Sequence, residues 1–301
     1  MKDVKINNYD MNHEKRGIAL VINISKYDPT TKKEKPKERV WSKKDVENLK
    51  QTLEYLEFDV DIKEDLTKSE LENVLKEQAE KSHENYDCFL CVVMSHGIDD
   101  HIVTRDNQLI SFDQIMAPIK SCTTLINKPK MFFFQACRGN KELESFFREQ
   151  ALPISQSRRS SEDMTDLNKF SKLPTNPNNK AEYESDLLVY CSTLPGHLSW
   201  SNNDPKEGTI FIKSDCDVFN DAYKNVPDNL SLAQMVNRIN NELSSKTVEI
   251  NDENRHKVIV QVAERSNTMK GDVYFWPKNV NVIFFFIKYH FQFALSHLTS
   301  L

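Results

Sequence analysis

Met131-Phe132-Phe133-Phe134-Gln135-Ala136-Cys137-Arg138-Gly139 decides how this chain is read. Its apolar run has the length of a buried strand and breaks at a polar pentapeptide centred on a cysteine. Upstream, Cys88-Phe89-Leu90-Cys91-Val92-Val93-Met94 is a second such run, closed by Ser95-His96-Gly97. Two strands of this kind deliver a thiol and an imidazole to neighbouring strand ends, the pairing a cysteine nucleophile needs. Alone, Cys137 would read as a buried thiol and His96 as a strand-end histidine. The shared setting turns the two into a candidate site.

Outward from these strands the hydrophobic period alternates between two and about three and a half. Gly17-Ile18-Ala19-Leu20-Val21-Ile22-Asn23-Ile24 has strand length, and residues 1–15 before it form a short, polar, disordered leader. Thr30 to Arg39, rich in lysine and proline, predicts a solvated loop. Val46, Leu49, Leu53 and Leu56 mark an amphipathic helix over Lys43–Leu56. Phe58–Ile62 alternates as a half-exposed strand does, and Thr67-Lys68-Ser69-Glu70 is a capping box opening a helix with Leu71, Val74 and Leu75 on one face. From 150 to 183 no periodicity survives, which predicts a linker. Leu187–Cys191 is again a buried strand. Helices follow near Ile212–Lys224 and Leu232–Leu243, then strands at Val258–Val262 and Asp272–Phe275. Strands alternating with helices predict an α/β fold, a sheet covered by helices on both faces, with no internal repeat.

Composition narrows the function. A chain of 301 residues with 39% apolar and 28% charged residues suits a soluble enzyme. Its net charge of −5 calls for neither nucleic acid nor an anionic membrane. Six scattered cysteines without an N-terminal signal sequence suggest free thiols and a reducing cytoplasm. Cys88-x-x-Cys91 could be a redox or metal pair, but residues three apart on a strand face opposite ways and no second pair completes a zinc site. Two core thiols are the plainer reading, and no metal or cofactor is expected.

With these elements in place, the chain resembles the caspases, cysteine peptidases of family C14, and is most similar to insect effector members with a short prodomain. The resemblance runs from about Tyr9 to Pro277 and includes Arg16-Gly17-Ile18-Ala19-Leu20, Met94-Ser95-His96-Gly97, Gln135–Gly139, Tyr190-Cys191-Ser192-Thr193 and Pro195–Trp200. It implies a central, mostly parallel six-stranded sheet. It also implies a large subunit over 16–149 and a small one over 184–278, joined by the linker at 150–183. Cys137 would attack the scissile carbonyl, His96 would raise its thiolate fraction and protonate the leaving amine, and the N–H groups of Gly97 and Cys137 would hold the oxyanion.

The resemblance further implies a basic pocket for an aspartate side chain, built from two arginines and a glutamine. Gln135 is the glutamine. Arg39, otherwise a loop charge, takes the first arginine's place because its ten-residue spacing to Leu49 matches the family without a gap. The second arginine is missing: Ser199-Trp200-Ser201 stands where the family has Ser-Trp-Arg. A carboxylate held by one cation instead of two loses about 2–5 kcal/mol, or roughly thirtyfold to several thousandfold in rate. The loop from Asn202 to Gly208 is two residues longer than usual, and Lys206 in it reads as a solvated lysine. Ile210 replaces a tryptophan, which should reshape more distal subsites.

Family members are zymogens cut after aspartate in the linker, which makes Asp166, then Asp163, the expected cut site; ordinary linker acidity is the alternative. Asp186 opens a buried strand and suits cleavage poorly. The expected partners are protein substrates, an upstream activating caspase, inhibitor-of-apoptosis proteins and a second copy paired through the edge strand Val258–Val262, with no nucleic acid. The family normally ends soon after Pro277, whereas this chain continues through an apolar tail, 279–301. Lys288, His290 and Gln292 interrupt that tail below the length of a clean membrane span. A membrane anchor, packing on the domain and an extension without function all remain open for it.

Overall fold

The structure, a computed structural model, describes residues 8–29, 36–141, 184–202, 204–224, 230–252 and 255–278. Chain order gives β1 (Lys15–Asn23), α1 (Ser42–Tyr55), β2 (Asp59–Glu64), α2 (Lys68–Glu80) and β3 (Tyr86–Met94). Three short strands follow, β4 (Gly97–Ile98), β5 (His101–Val103) and β6 (Leu109–Ser111), then α3 (Phe112–Lys120), β7 (Lys130–Gln135) and β8 (Gly139–Lys141). Beyond residue 183 come β9 (Leu187–Cys191), β10 (Gly196–His197), α4 (Ile210–Lys224), α5 (Leu232–Ser245), β11 (Thr247–Asp252), β12 (Arg255–Val260) and β13 (Glu264–Asn267).

The central sheet has six strands in the order β13–β9–β7–β3–β1–β2, all parallel except β13, which runs antiparallel to β9. Its four inner strands, β9, β7, β3 and β1, are apolar on both faces because helices cover both. Cys88, Leu90, Val92, Met131 and Phe133 face one core with α1, α4 and α5; Phe89, Cys91, Val93, Phe132 and Phe134 face the other with α2 and α3. Cys88 and Cys91 thus lie on opposite faces, both fully buried, and burial pushes the Cys88 thiol up to about 12. They form no pair.

The Thr67–Glu70 capping box is present at α2, and Ser111 with Gln114 and Ser231 with Gln234 form two more at α3 and α5. No helix among the described residues is long and apolar enough to cross a membrane.

Four expectations need correction. Residues 8–15 are not a loose leader: Tyr9 N–H donates to Asp272 O at 2.9 Å, the Tyr9 hydroxyl donates to Asp186 at 2.7 Å, and Met11 is buried. Asp272–Phe275 is not a strand, although Asp272 makes an isolated bridge to Asn8. The run at Val258–Val262 does not form the sheet's edge. Its residues up to Val260 belong to β12, which pairs with β11 in a separate hairpin, and the edge is the polar β13. Helix α4 starts at Ile210, which is 3% exposed in the core. The cut-site candidates Asp163 and Asp166 and the tail, 279–301, lie outside the described residues.

At the amino ends of β1 and β3, Arg16 is buried and its Nη1 lies 3.2 Å from the equally buried Asp87. Arg16 Nε donates to Leu56 O at 3.3 Å, and Lys278 Nζ also reaches the Asp87 carboxylate. Removing the carboxylate leaves the buried guanidinium with only the part-buried Glu57, 3.6 Å from its Nη2, as counter-charge. Asp87→Ala should therefore cost about 3–5 kcal/mol, read as a lowered urea midpoint at unchanged slope.

Candidate active site

The site forms where four adjacent parallel strands end. Arg39 follows β1, His96 follows β3, Cys137 follows β7, and Ser192–Ser201 follow β9. In α/β sheets such carboxyl ends are where ligands bind. Met94 lies opposite Gln135 in the β3–β7 register, and Ser95 N–H donates to Gln135 O at 3.2 Å, so His96 and Cys137 leave the sheet side by side. After His96 the chain turns back through β4 and β5 by way of Asp99 and Asp100, both left-handed at φ 46° and 60°, the geometry of a tight hairpin turn. Gly97 sits so close to the cysteine segment that a Cβ there would lie 2.7 Å from Cys137 O and 3.0 Å from Ala136 Cβ. Only glycine fits.

Cys137 is half-buried, whereas the other five cysteines are buried, and all six are free. Its Sγ donates to Ser199 O at 3.7 Å and accepts from Ser199 N–H at 3.4 Å. Burial raises the thiol's pKa above its ordinary value, and the Ser199 N–H and the Arg39 charge only partly offset this.

His96 Nε2 lies 2.7 Å from Lys37 O. In the neutral ring that nitrogen carries the hydrogen, and Nδ1 is left as the base. Burial lowers the imidazole's pKa and Arg39 lowers it further, against the contribution of Lys37 O. Among the described residues no hydrogen bond joins Cys137 Sγ to His96, and burial works against the charged form of each.

Tyr27, which no sequence motif marks, supports the histidine. Its hydroxyl accepts from His96 N–H at 3.1 Å and contacts Ser95 Oγ at 3.0 Å, while its ring lies 5.3 Å from the imidazole, tilted by 32°.

Arg39 Nη1 donates to Asn23 Oδ1 and Ile24 O, both at 3.2 Å, which ties the arginine to the end of β1 within electrostatic reach of Cys137. Gln135 is 4% exposed, and its Oε1 accepts from Ser199 Oγ at 3.3 Å. Trp200 is partly buried and packs against the core that α1, α4 and α5 close. Ser201 makes an isolated antiparallel bridge with Thr209. The structure thus gathers Cys137, His96, Gly97, Gln135 and Ser199 together, with Arg39 in reach and Trp200 and Ser201 on the adjoining edge.

The loop that follows is clasped to α1. Trp41 Nε1 donates to Asn202 O at 2.9 Å, and the buried Asp45 accepts Thr209 N–H at 2.7 Å. Burial raises the Asp45 pKa to about 6, with the Thr209 N–H pulling the other way. Gly208, at φ 77°, leaves room for Asp45 Oδ1 where a Cβ would lie at 2.4 Å. Lys206 stays exposed. Behind Cys137, the buried Arg138 is held by Asp100, Glu264 and Thr193 O.

A family model described as Caspase domain matches residues 16–271. Caspase-7 of Gallus gallus is 30% identical over 268 residues, 89% of this chain and 79% of that protein. Caspase drICE of Drosophila melanogaster is 30% identical over 210 residues, 69% of this chain and 55% of that protein. Caspase-1 from Spodoptera frugiperda, a solved structure, matches in fold with a TM-score of 0.71 at 24% identity, covering 92% of this chain and 98% of that one.

Iodoacetamide should label Cys137 alone in the native protein. The labelling rate should rise with pH to a midpoint above the roughly 8.5 of a free thiol, because the raised pKa lowers the thiolate fraction at neutral pH. Mass mapping with a pH–rate profile checks both.

Proposed function

Because the chain belongs to the caspase family, we propose that it is a cysteine endopeptidase that cuts proteins after aspartate and acts in apoptosis in the cytoplasm. One arrangement carries the reading: Cys137 and His96 leave neighbouring parallel strands beside the extended segment Ser199–Ser201. A substrate adding as a strand to that segment would bring its carbonyl carbon to Cys137 Sγ. His96 Nδ1 takes the thiol proton as the C–S bond forms. The oxyanion is held by the N–H groups of Gly97 and Cys137, and His96 then gives the proton to the departing amine. The acyl-enzyme is released by water.

Burial, which works against the charged forms of Cys137 and His96, supports this order, in which proton transfer accompanies attack. Arg39 and Gln135 hold the substrate carboxylate, with Ser201 in place of a second cation. Cleavage of the linker at Asp166 or Asp163 would separate the large subunit from the small, and β13, the small subunit's edge strand among the described residues, would pair two copies. Asp186 is 1% exposed and paired with Lys270, which removes it from the candidates.

Ser201 favours a second reading, a caspase-like regulatory protein that dimerises with active relatives and cleaves little. A peptide library offered to the linker-nicked dimer separates the two, with Cys137→Ala as the control. Cleavage after aspartate, lost in the control, is expected, and Ser201→Arg should raise it thirtyfold or more, the gain of a second charge-assisted contact. No cleavage by folded dimer, with or without that substitution, would leave the regulatory reading standing.

A further inference from the structure

We propose that Gln261 is a positioning residue that fixes the substrate-binding edge of this site; the inference rests on the peptidase reading above. Gln261 lies between β12 and β13 and is 3% exposed. Its Oε1 accepts Trp200 N–H at 2.8 Å, and its Nε2 donates to Ser192 O at 2.8 Å. The partners fix the orientation of the amide, because a backbone N–H only donates and a carbonyl only accepts. One short side chain therefore joins the end of β9 to the segment that returns beside Cys137.

The direction of these bonds matters. In extended backbone, the main-chain groups of successive residues point to alternate sides. Trp200 N–H is held by Gln261, and Trp200 O accepts from Ile210 N–H at 3.4 Å, so this residue is engaged away from the groove. Its neighbour Ser199 points the other way, with both N–H and C=O against Cys137 Sγ. Ser201, two residues along, falls on the same side as Ser199. An added substrate strand would pair with that side, and Gln261 sets the angle at which it is presented. The bonds also form a path of contact from the substrate edge to the segment leading into β13.

The experiment compares the full chain with Gln261→Leu, which removes both bonds, and Gln261→Glu, which keeps the acceptor for Trp200 N–H and loses the donor to Ser192 O. Hydrolysis of the best library peptide should show KM raised about tenfold in Q261L, the worth of a buried hydrogen bond. In that variant kcat should stay within threefold and the iodoacetamide rate of Cys137 should be unchanged, with Q261E intermediate. Amide hydrogen exchange over 192–202 should quicken severalfold in Q261L while 131–137 keeps its protection, a readout that needs no turnover.

Unchanged KM and unchanged exchange in a folded variant would overturn the proposal. So would a parallel loss of kcat and Cys137 reactivity, which would mean general loosening of the site. If the unsubstituted protein cleaves no peptide, the peptidase reading fails by itself, and the exchange data still decide whether Gln261 holds the edge. If Q261L does not fold, Q261E carries the same comparison.

Discussion

Everything at the site depends on the parallel register between β3 and β7. Because Met94 lies opposite Gln135, the chain leaves two adjacent strands at the same height, with an imidazole two residues beyond one and a thiol two residues beyond the other. A slip of one residue would turn every side chain of a strand to the opposite core. Both cores are closed, the first by α1, α4 and α5 and the second by α2 and α3, so neither would accept the exchange. The large aromatic side chains of β7 thus hold the chemistry in place at a distance.

Electrostatics add a second constraint. Arg39 is the cation whose field reaches Cys137 and His96, and it works on them in opposite senses, favouring the thiolate and disfavouring the imidazolium. Burial overrides its help to the thiol. Burial therefore disfavours charge on Cys137 and on His96, while the Arg39 guanidinium sits to one side.

What was legible in the sequence was whatever had an apolar run beside it. Cys137 and His96 stood out because each closes a buried strand, and the faces of Cys88 and Cys91 followed from the strand period alone. The edge of the sheet is hidden from the sequence for the same reason. Val258-Ile259-Val260-Gln261-Val262 looks like a strand, whereas Glu264-Arg265-Ser266-Asn267, the true edge, carries no hydrophobic signal. Strands β4, β5 and β6 are two or three residues long, too short for periodicity to register. The capping sequences Ser111-x-x-Gln114 and Ser231-x-x-Gln234 were readable in the sequence as helix starts. Tyr27, the carbonyl of Lys37 and Gln261 were not, because each acts through a contact between distant parts of the chain. No local spacing encodes such contacts.

The loop after Ser201 is fastened at both ends, by Trp41 to Asn202 and by Asp45 to Thr209. Its length can therefore drift between the two clamps without moving the helix that follows or the strand that precedes. Closing a slightly longer loop costs only the logarithm of the added length. Added residues here are a change that the fold would absorb at little cost. The rim of the groove is then the part of this molecule best placed to diverge while the sheet beneath it stays the same.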